Sequence, residues 1–442
     1  MRRDIDRRDF LKGAGVAGTV LLAGCTGDDG GNGGGGDNGS DPTTTGGGGG
    51  NQTDGGSGGG GSADRSEPIK VGTLLPLTGD LGELGVPIKD GAILPVSQLK
   101  GETDFTIENQ VEDTQTDPNA AQSAAQSLVN AGYPAVTGAA SSGVSTQVYE
   151  QVFIPNGIAA CSPASTSPAI TDLQDNDLIF RTPPTDALQG QVLAQVAMDK
   201  GVDSAATMFV ANDYGQLLSE SFASAFEEKG GTVTNTVSFQ KEQSSYTSRL
   251  EQTLSGDPGL VVVIGYPASG VQIFRDFYAN FNQPDLPILV TDGMRAPDLP
   301  SNVDNAMSNV QGTAPLASGP GTEFFNQQYQ QAYGTEPGVF TAQAYDATAC
   351  LILANAAAGE NSGAAIAEQM RTIANPEGTE YTPENLADAV AAAAAGEDIN
   401  YQGASSAVSF DEAGDLEAAT YELFGFTEGG GIETIEEIQF EA

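Results

Sequence analysis

The feature that most restricts the fold is a regular alternation of short apolar runs with longer, helix-patterned stretches, beginning at Ile69. Ile69–Leu77 reads as a first strand, followed by a helical stretch over Val86–Leu99 interrupted by Pro87 and Pro95, which leave its ends open. A strand at Phe105–Glu112, a helix over Pro118–Ala131, a short strand at Ala135–Gly138, a helix over Val144–Pro155 and a strand at Ile158–Cys161 complete one unit. After Arg181-Thr182-Pro183-Pro184 the rhythm restarts. Helices are expected at Leu188–Lys200, Gly215–Lys229, Ser245–Leu254 and Gly270–Phe281, and strands at Ala205–Val210, Thr232–Phe239, Leu260–Ile264 and Ile288–Val290. Unbroken apolar runs such as Leu260–Ile264 suit strands covered on both faces, as in parallel sheets flanked by helices. Two successive units of this kind predict two doubly wound α/β lobes with a cleft between them. In such sheets ligands sit beyond the C-terminal ends of the strands, so the loops there hold the candidate site.

The first 67 residues follow other rules. Arg7-Arg8-Asp9-Phe10-Leu11-Lys12, the weakly apolar run Gly13–Leu22 and then Leu22-Ala23-Gly24-Cys25 resemble a twin-arginine export signal joined to a lipobox. Residues 1–24 are therefore expected to be a twin-arginine lipoprotein signal, with Cys25 as the lipidated first residue of the mature chain. Such a signal implies export of already folded cargo. The apolar run is too short and glycine-rich for a span of about 20 apolar residues, so the membrane is expected to be met through the lipid anchor only. Gly13-Ala14-Gly15-Val16-Ala17-Gly18 matches a dinucleotide-binding pattern by its letters, but no strand precedes it. Residues 25–67, mostly Gly, Asp, Asn, Ser and Thr, read as a disordered tether carrying two glycosylation sequons, at Asn38 and Asn51.

Charge narrows the function. The 442 residues hold 17 Lys and Arg against 59 Asp and Glu, a formal charge of −42 with no His. Removal of the signal would leave 12 cations against 56 carboxylates, −44 in the mature chain. Such a surface repels nucleic acid and anionic lipid. Its self-repulsion calls for high ionic strength, because at about 1 M salt the screening length falls to roughly 3 Å. A halophile protein is the expectation. The absence of His removes Ser-His-Asp and Cys-His catalysis and the usual imidazole metal sites. An acidic hydrolase with paired carboxylates stays open in principle, but no motif supports it. The expectation is no catalytic residue, no metal and no cofactor.

Several short motifs, taken in order, then resemble the type I periplasmic binding proteins of the branched-chain amino acid class. They are Ile69-Lys70-Val71-Gly72 with Leu75-Pro76-Leu77-Thr78-Gly79, Glu112 to Pro118, Val136 to Ser142, Ser162 to Pro168, Phe180-Arg181-Thr182, Asn212-Asp213-Tyr214-Gly215, Gly265-Tyr266, Thr291-Asp292-Gly293 and Phe410 to Asp415. The resemblance covers residues 69 to about 425. It implies two lobes joined by a three-segment hinge, lobe 1 from 68–185 plus 313–410 and lobe 2 from 186–312 plus 411–442. It further implies an extracellular, monomeric solute-binding protein of an ABC importer. Such a protein captures a small organic solute, a branched-chain type amino acid first, and delivers it to permease and ATPase subunits. Binding of amides, urea or aromatic acids is the alternative, as is a ligand-sensing ectodomain working with a partner receptor.

An amino acid needs hydrogen-bond donors for its carboxylate and an anion for its ammonium. The loops Ser141-Ser142-Gly143 and Ala164-Ser165-Thr166 offer hydroxyls and backbone N–H groups and form the expected carboxylate clamp; the plainer reading is that Ser142 and Thr166 cap helices. Asp292 is the expected ammonium partner, with Tyr214 and Tyr266 lining the mouth. The family position often holds Glu, so the shorter Asp shifts the contact or brings in a water. Leu81 and Tyr133 are further candidates for setting pocket width. Cys161 and Cys350 read as buried free thiols.

Overall fold

The structure, a computed structural model, describes residues 2–5, 67–374, 377–416, 418–427 and 431–441. Cys25, the tether through residue 66 and the rest of the signal beyond Arg2–Ile5 lie outside the described residues.

The first unit is a five-stranded parallel sheet in the order Val111–Asp113, Gly72–Leu75, Ala135–Gly138, Ala159–Ser162, Ile179–Arg181. The second is an eight-stranded sheet. Thr232–Phe239, Ser204–Val210, Leu260–Ile264, Ile288–Val290 and Val310–Pro315 run parallel in that order. Ala418–Phe426 and Ile432–Glu441 then extend it antiparallel, and Arg2–Ile5 pairs with the outer side of the last strand. Every residue of Leu260–Ile264 is buried, as its unbroken apolar run requires.

Two apolar cores follow the two sheets. Ile69, Val136, Phe180, Tyr345, Leu351 and Leu386 belong to one. Met208, Val262, Phe274, Leu289, Tyr421 and Phe424 belong to the other. The helices Thr322–Tyr333, Thr341–Ala358, Gly363–Ala374 and Leu386–Ala394 come from chain beyond the second sheet's parallel strands, yet their apolar residues fill the first core. Strand Val310–Pro315 runs through the lobe limit expected at 312 and 313, since Ile288–Val290 pairs with its start and Ala418–Phe426 with Gln311 to Pro315.

Helix Thr341–Ala358 is buried from Thr341 to Ala356. Its many alanines let neighbours approach closely, and the closest is helix Gly82–Leu99, where a Cβ on Gly91 would lie 2.2 Å from the Thr341 carbonyl oxygen. Only glycine fits there. The same helix starts at Gly82, before Val86, and continues through both prolines; burial of nine of its residues outweighs the lost hydrogen bonds.

The strand expected over Phe105–Glu112 is two strands in two sheets. Ile107–Glu108 pairs with Ile69–Lys70 and Val111–Asp113 with Gly72–Leu75. Between them the Asn109 amide donates to the Val71 carbonyl at 2.7 Å and to Thr73 Oγ1 at 2.9 Å, bonding across the break in the ladder. The helix expected from Val144 begins at Ser142 and passes at Tyr149–Phe153 into a wider π-type turn. Among the described residues no helix is long and apolar enough to cross a membrane.

Candidate functional site

Each sheet has one place where the strand order reverses. In the first it lies between Gly72–Leu75 and Ala135–Gly138, in the second between Ser204–Val210 and Leu260–Ile264. Connections leave in opposite directions there and open a crevice beyond the strand ends. Leu81, Ala140 and Ser142 follow the first pair of strands; Tyr214 and Tyr266 follow the second. The two crevices face one another and enclose a narrow cavity of about 20 Å3, room for about one water, so the lobes must part to admit a ligand. Leu81, Leu84, Ile88, Ala140, Ala164 and Phe340 give it an apolar wall, and Ser142, Tyr214, Tyr266, Asp292 and Gly293 complete it.

Contacts cross the cleft around this cavity. The hydroxyls of Ser141 and Tyr266 are 2.9 Å apart across it, and within the second lobe Asn212 Nδ2 also donates to Tyr266 at 2.9 Å. Two further bonds join the lobes: Ser269 donates to Asp80 at 2.7 Å and Lys241 Nζ to the Thr116 carbonyl at 2.6 Å. The rings of Tyr214 and Tyr266 stack 5.7 Å apart and 10° from parallel. Tyr214 is fixed at its other end by Thr291 Oγ1 at 2.7 Å and by Asp292 Oδ2, to which it donates at 3.3 Å. Gly293 is required beneath it, because an added Cβ would sit 2.4 Å from the Gly265 carbonyl oxygen.

Five of the expected ligand residues, Ser142, Ala164, Tyr214, Tyr266 and Asp292, thus lie round one cavity. The other three are placed behind it. Gly143 packs against Asn212, with a notional Cβ 3.3 Å from the Asn212 side chain. The Ser165 hydroxyl is bound to Ser145 at 2.6 Å and to the Ala139 and Ala140 carbonyls at 3.2 and 3.1 Å, which turns it into the protein. Thr166 is buried beside Asp186, its Oγ1 without a hydrogen-bond partner. Helix capping accounts for little of this: the Ser142 hydroxyl accepts from Ser167 N–H at 3.3 Å and thereby joins the two loops. Tyr133 belongs to the first core, with Lys70 over its ring at 5.8 Å, and plays no part in pocket width. Cys161 and Cys350 are free and buried.

Sequence reasoning missed Leu84, Ile88 and Phe340 in the wall and, among polar residues, Asp186 and Gln189. Asp186 occupies the first turn of helix Asp186–Asp199 and is fully buried. Both its carboxylate oxygens, Asp292 Oδ1 and Gln189 Oε1 have no hydrogen-bond partner. Burial pushes the Asp292 carboxyl up to about 6, against the opposing pull of Gln189 and Tyr214. Burial, and then the Asp292 charge, hold the Asp186 carboxyl well above the ordinary carboxylate range. Both carboxyls of the pair thus give up their protons less readily than ordinary carboxylates, Asp186 the less readily of the two. A buried anion of this kind is costly until a cation joins it. The arrangement suits a ligand with a single ammonium, a few polar contacts for its other end and an apolar body.

Comparison with known proteins agrees with this architecture. The family model described as periplasmic binding protein matches residues 68–379, and the model of the twin-arginine translocation pathway signal sequence matches residues 4–24. A relative from Halobacterium salinarum, the chemotactic signal transduction system substrate-binding protein BasB, is 27% identical over 382 residues, covering 84% of this chain and 89% of that one. The crystal structure of the leucine binding protein LivK from Thermotoga maritima superposes with a TM-score of 0.70 at 24% identity, covering 84% of this chain and 98% of that one. LivJ from Streptococcus pneumoniae, solved in complex with isoleucine, gives a TM-score of 0.68 at 21% identity over 85% of this chain and all of that one. The last two likenesses concern the fold. The chain carries a twin-arginine export signal and belongs to the periplasmic binding protein family, with its type I two-lobed α/β fold.

Proposed function

We propose that the chain captures an α-amino acid with a branched-chain-sized apolar side chain outside the cytoplasmic membrane and presents it to the permease of an ABC importer. The buried Asp292, which lines a largely apolar cavity with its Oδ1 unpartnered and Asp186 close enough to raise its own carboxyl, carries this reading. Asp292 takes the ligand ammonium, Asp186 supports it from behind, and Ser142 and the Ala164 loop hold the ligand carboxylate. The side chain lies against Leu81, Leu84, Ile88 and Phe340. Contacts from both lobes favour the closed form, which is the differential affinity that drives closure.

Calorimetry on the mature chain in multimolar KCl tests the ligand class. Leucine, isoleucine and valine are expected to bind, whereas 4-methylpentanoate, which is leucine without its amino group, should lose about 100-fold or more. Equal binding of 4-methylpentanoate, benzoate or urea would overturn the ammonium site.

A second reading is favoured by the likeness to BasB: the closed form engages a chemosensory receptor in place of, or beside, a permease. Loss of amino-acid uptake on deletion of the gene supports import, and loss of swimming bias toward the same amino acid supports sensing.

Cys25 is the proposed lipid attachment site. Cys25→Ser should release the exported protein into the medium, and its continued recovery with membranes would reject the anchor.

A further inference from the structure

We propose that Arg181 is a positioning residue that ties the ligand-carboxylate loop to the hinge, so that the geometry of the clamp depends on a contact remote from the ligand. The proposal rests on the amino-acid reading above.

Arg181 closes strand Ile179–Arg181 and is completely buried. Its guanidinium forks onto Asp415, Nε to Oδ1 and Nη2 to Oδ2, the second at 2.7 Å. Its backbone N–H donates to the Gly414 carbonyl at 3.0 Å. Asp415 is itself held in a tight turn, where Asp411 Oδ1 accepts from the N–H groups of Ala413 and Asp415 at 2.8 and 2.9 Å. This turn is the last passage of the chain before Ala418–Phe426 joins the second sheet. Arg181, for its part, lies just ahead of the first passage, into helix Asp186–Asp199. The fork therefore joins two of the segments that connect the lobes.

The remaining donors of Arg181 reach the ligand loop from behind. Nη1 donates to the Ser167 carbonyl at 2.7 Å and to the Ser165 carbonyl at 3.4 Å. The carbonyl between them, that of Thr166, accepts from Asp186 N–H at 2.8 Å. Three successive carbonyls are thus fixed from the crossover side. Ser162 Oγ and Ser142 Oγ take the N–H groups of Ser165 and Ser167 at 2.9 and 3.3 Å. With so much of its backbone fixed, the loop leaves the buried Thr166 hydroxyl as its uncommitted polar atom. Thr171 braces the assembly, accepting from Arg181 Nη2 and donating to Asp415 Oδ2 at 2.7 Å. A planar fork with donors on three edges suits this task, and the single charged tip of a lysine does not.

The test separates positioning of the clamp from general stability by comparing leucine with leucinamide, which keeps the ammonium and side chain but lacks the carboxylate. Asp415→Asn, in the full mature chain at high KCl, should weaken leucine about tenfold or more and leucinamide by less than about threefold. Thr171→Val should act in the same sense to a smaller extent, and it alone decides the matter if the first variant does not fold. Equal losses for both ligands, or no loss for leucine, would overturn the proposal. A wild-type chain that binds neither compound would bring down the amino-acid reading, and this inference with it. Wild-type binding with an unchanged leucine-to-leucinamide ratio in the variants would bring down this inference alone.

Discussion

Asp292→Asn is expected to weaken amino-acid binding by roughly 2 to 5 kcal/mol, as when a buried charge pair loses one partner. Calorimetry reads this directly, and an unchanged affinity would reject the ammonium role. Asp186→Asn should cost much less, about 1 kcal/mol or under, because burial and the Asp292 charge disfavour the charged form of Asp186. If the two substitutions cost the same, the division of labour within the pair is wrong. The pH dependence has a definite sign. Burial raises the Asp292 carboxyl to about 6 in the protein without a cation beside it. A bound ammonium favours the ionised form, so affinity should be at its plateau above that value and fall as pH drops through it, with a proton released on binding at the acid end. In the ligand-free protein the sign is opposite: a carboxyl raised above its ordinary value lends stability at low pH that is lost as pH rises through about 6.

Dilution of salt should have the other large effect. With 59 Asp and Glu against 17 Lys and Arg, at least 42 carboxylates have no cation to pair with one-to-one. Surface ion pairs such as Lys70–Glu108 and Arg371–Asp177 are each worth about 1 kcal/mol at most and cannot offset so large an excess. Screening lengths of about 3 Å at 1 M salt and about 10 Å at 0.1 M bracket the change. Midpoints of thermal unfolding are therefore expected to fall steeply as KCl is lowered from multimolar to about 0.1 M, with repulsion across the closed cleft adding to repulsion within each lobe. A flat midpoint across that range would show that the acidic surface is no adaptation to salt.

The alternation of strands and helices was legible because fully buried parallel strands leave unbroken apolar runs, Leu260–Ile264 being the plainest. Two kinds of feature were less so. The break at Val71 and Asn109 is invisible to periodicity, since a side-chain amide bonds across the gap in the ladder. Prolines 87 and 95 argued for an interrupted helix, but tertiary burial on both sides overruled local preference. Within the site, Ser142, Ala164, Tyr214, Tyr266 and Asp292 could be named because each directly follows a strand, where an α/β sheet puts its ligand loops. Asp186 gave no such signal, because an aspartate in a first helical turn ordinarily complements the helix dipole in water. Its burial arises only when the Thr166 loop and the Asp292 turn close over it. Leu84, Ile88 and Phe340 were missed for a related reason: Leu84 and Ile88 lie within helix Gly82–Leu99 and Phe340 just ahead of helix Thr341–Ala358, so none of them marks a strand end. Ser165 was assigned to the ligand by its neighbours, yet its hydroxyl is taken by carbonyls within its own lobe.

The second sheet has one further consequence, for biogenesis. Its parallel strands end at Pro315, and the antiparallel pair that covers Val310–Pro315 arrives only after Ala418, about a hundred residues later. A chain emerging from the ribosome must keep that strand edge open while the intervening helices are made, and an open edge is a template for mispairing. Nascent or truncated copies should therefore be the aggregation-prone species. An export route that accepts only finished cargo would keep such copies inside the cell.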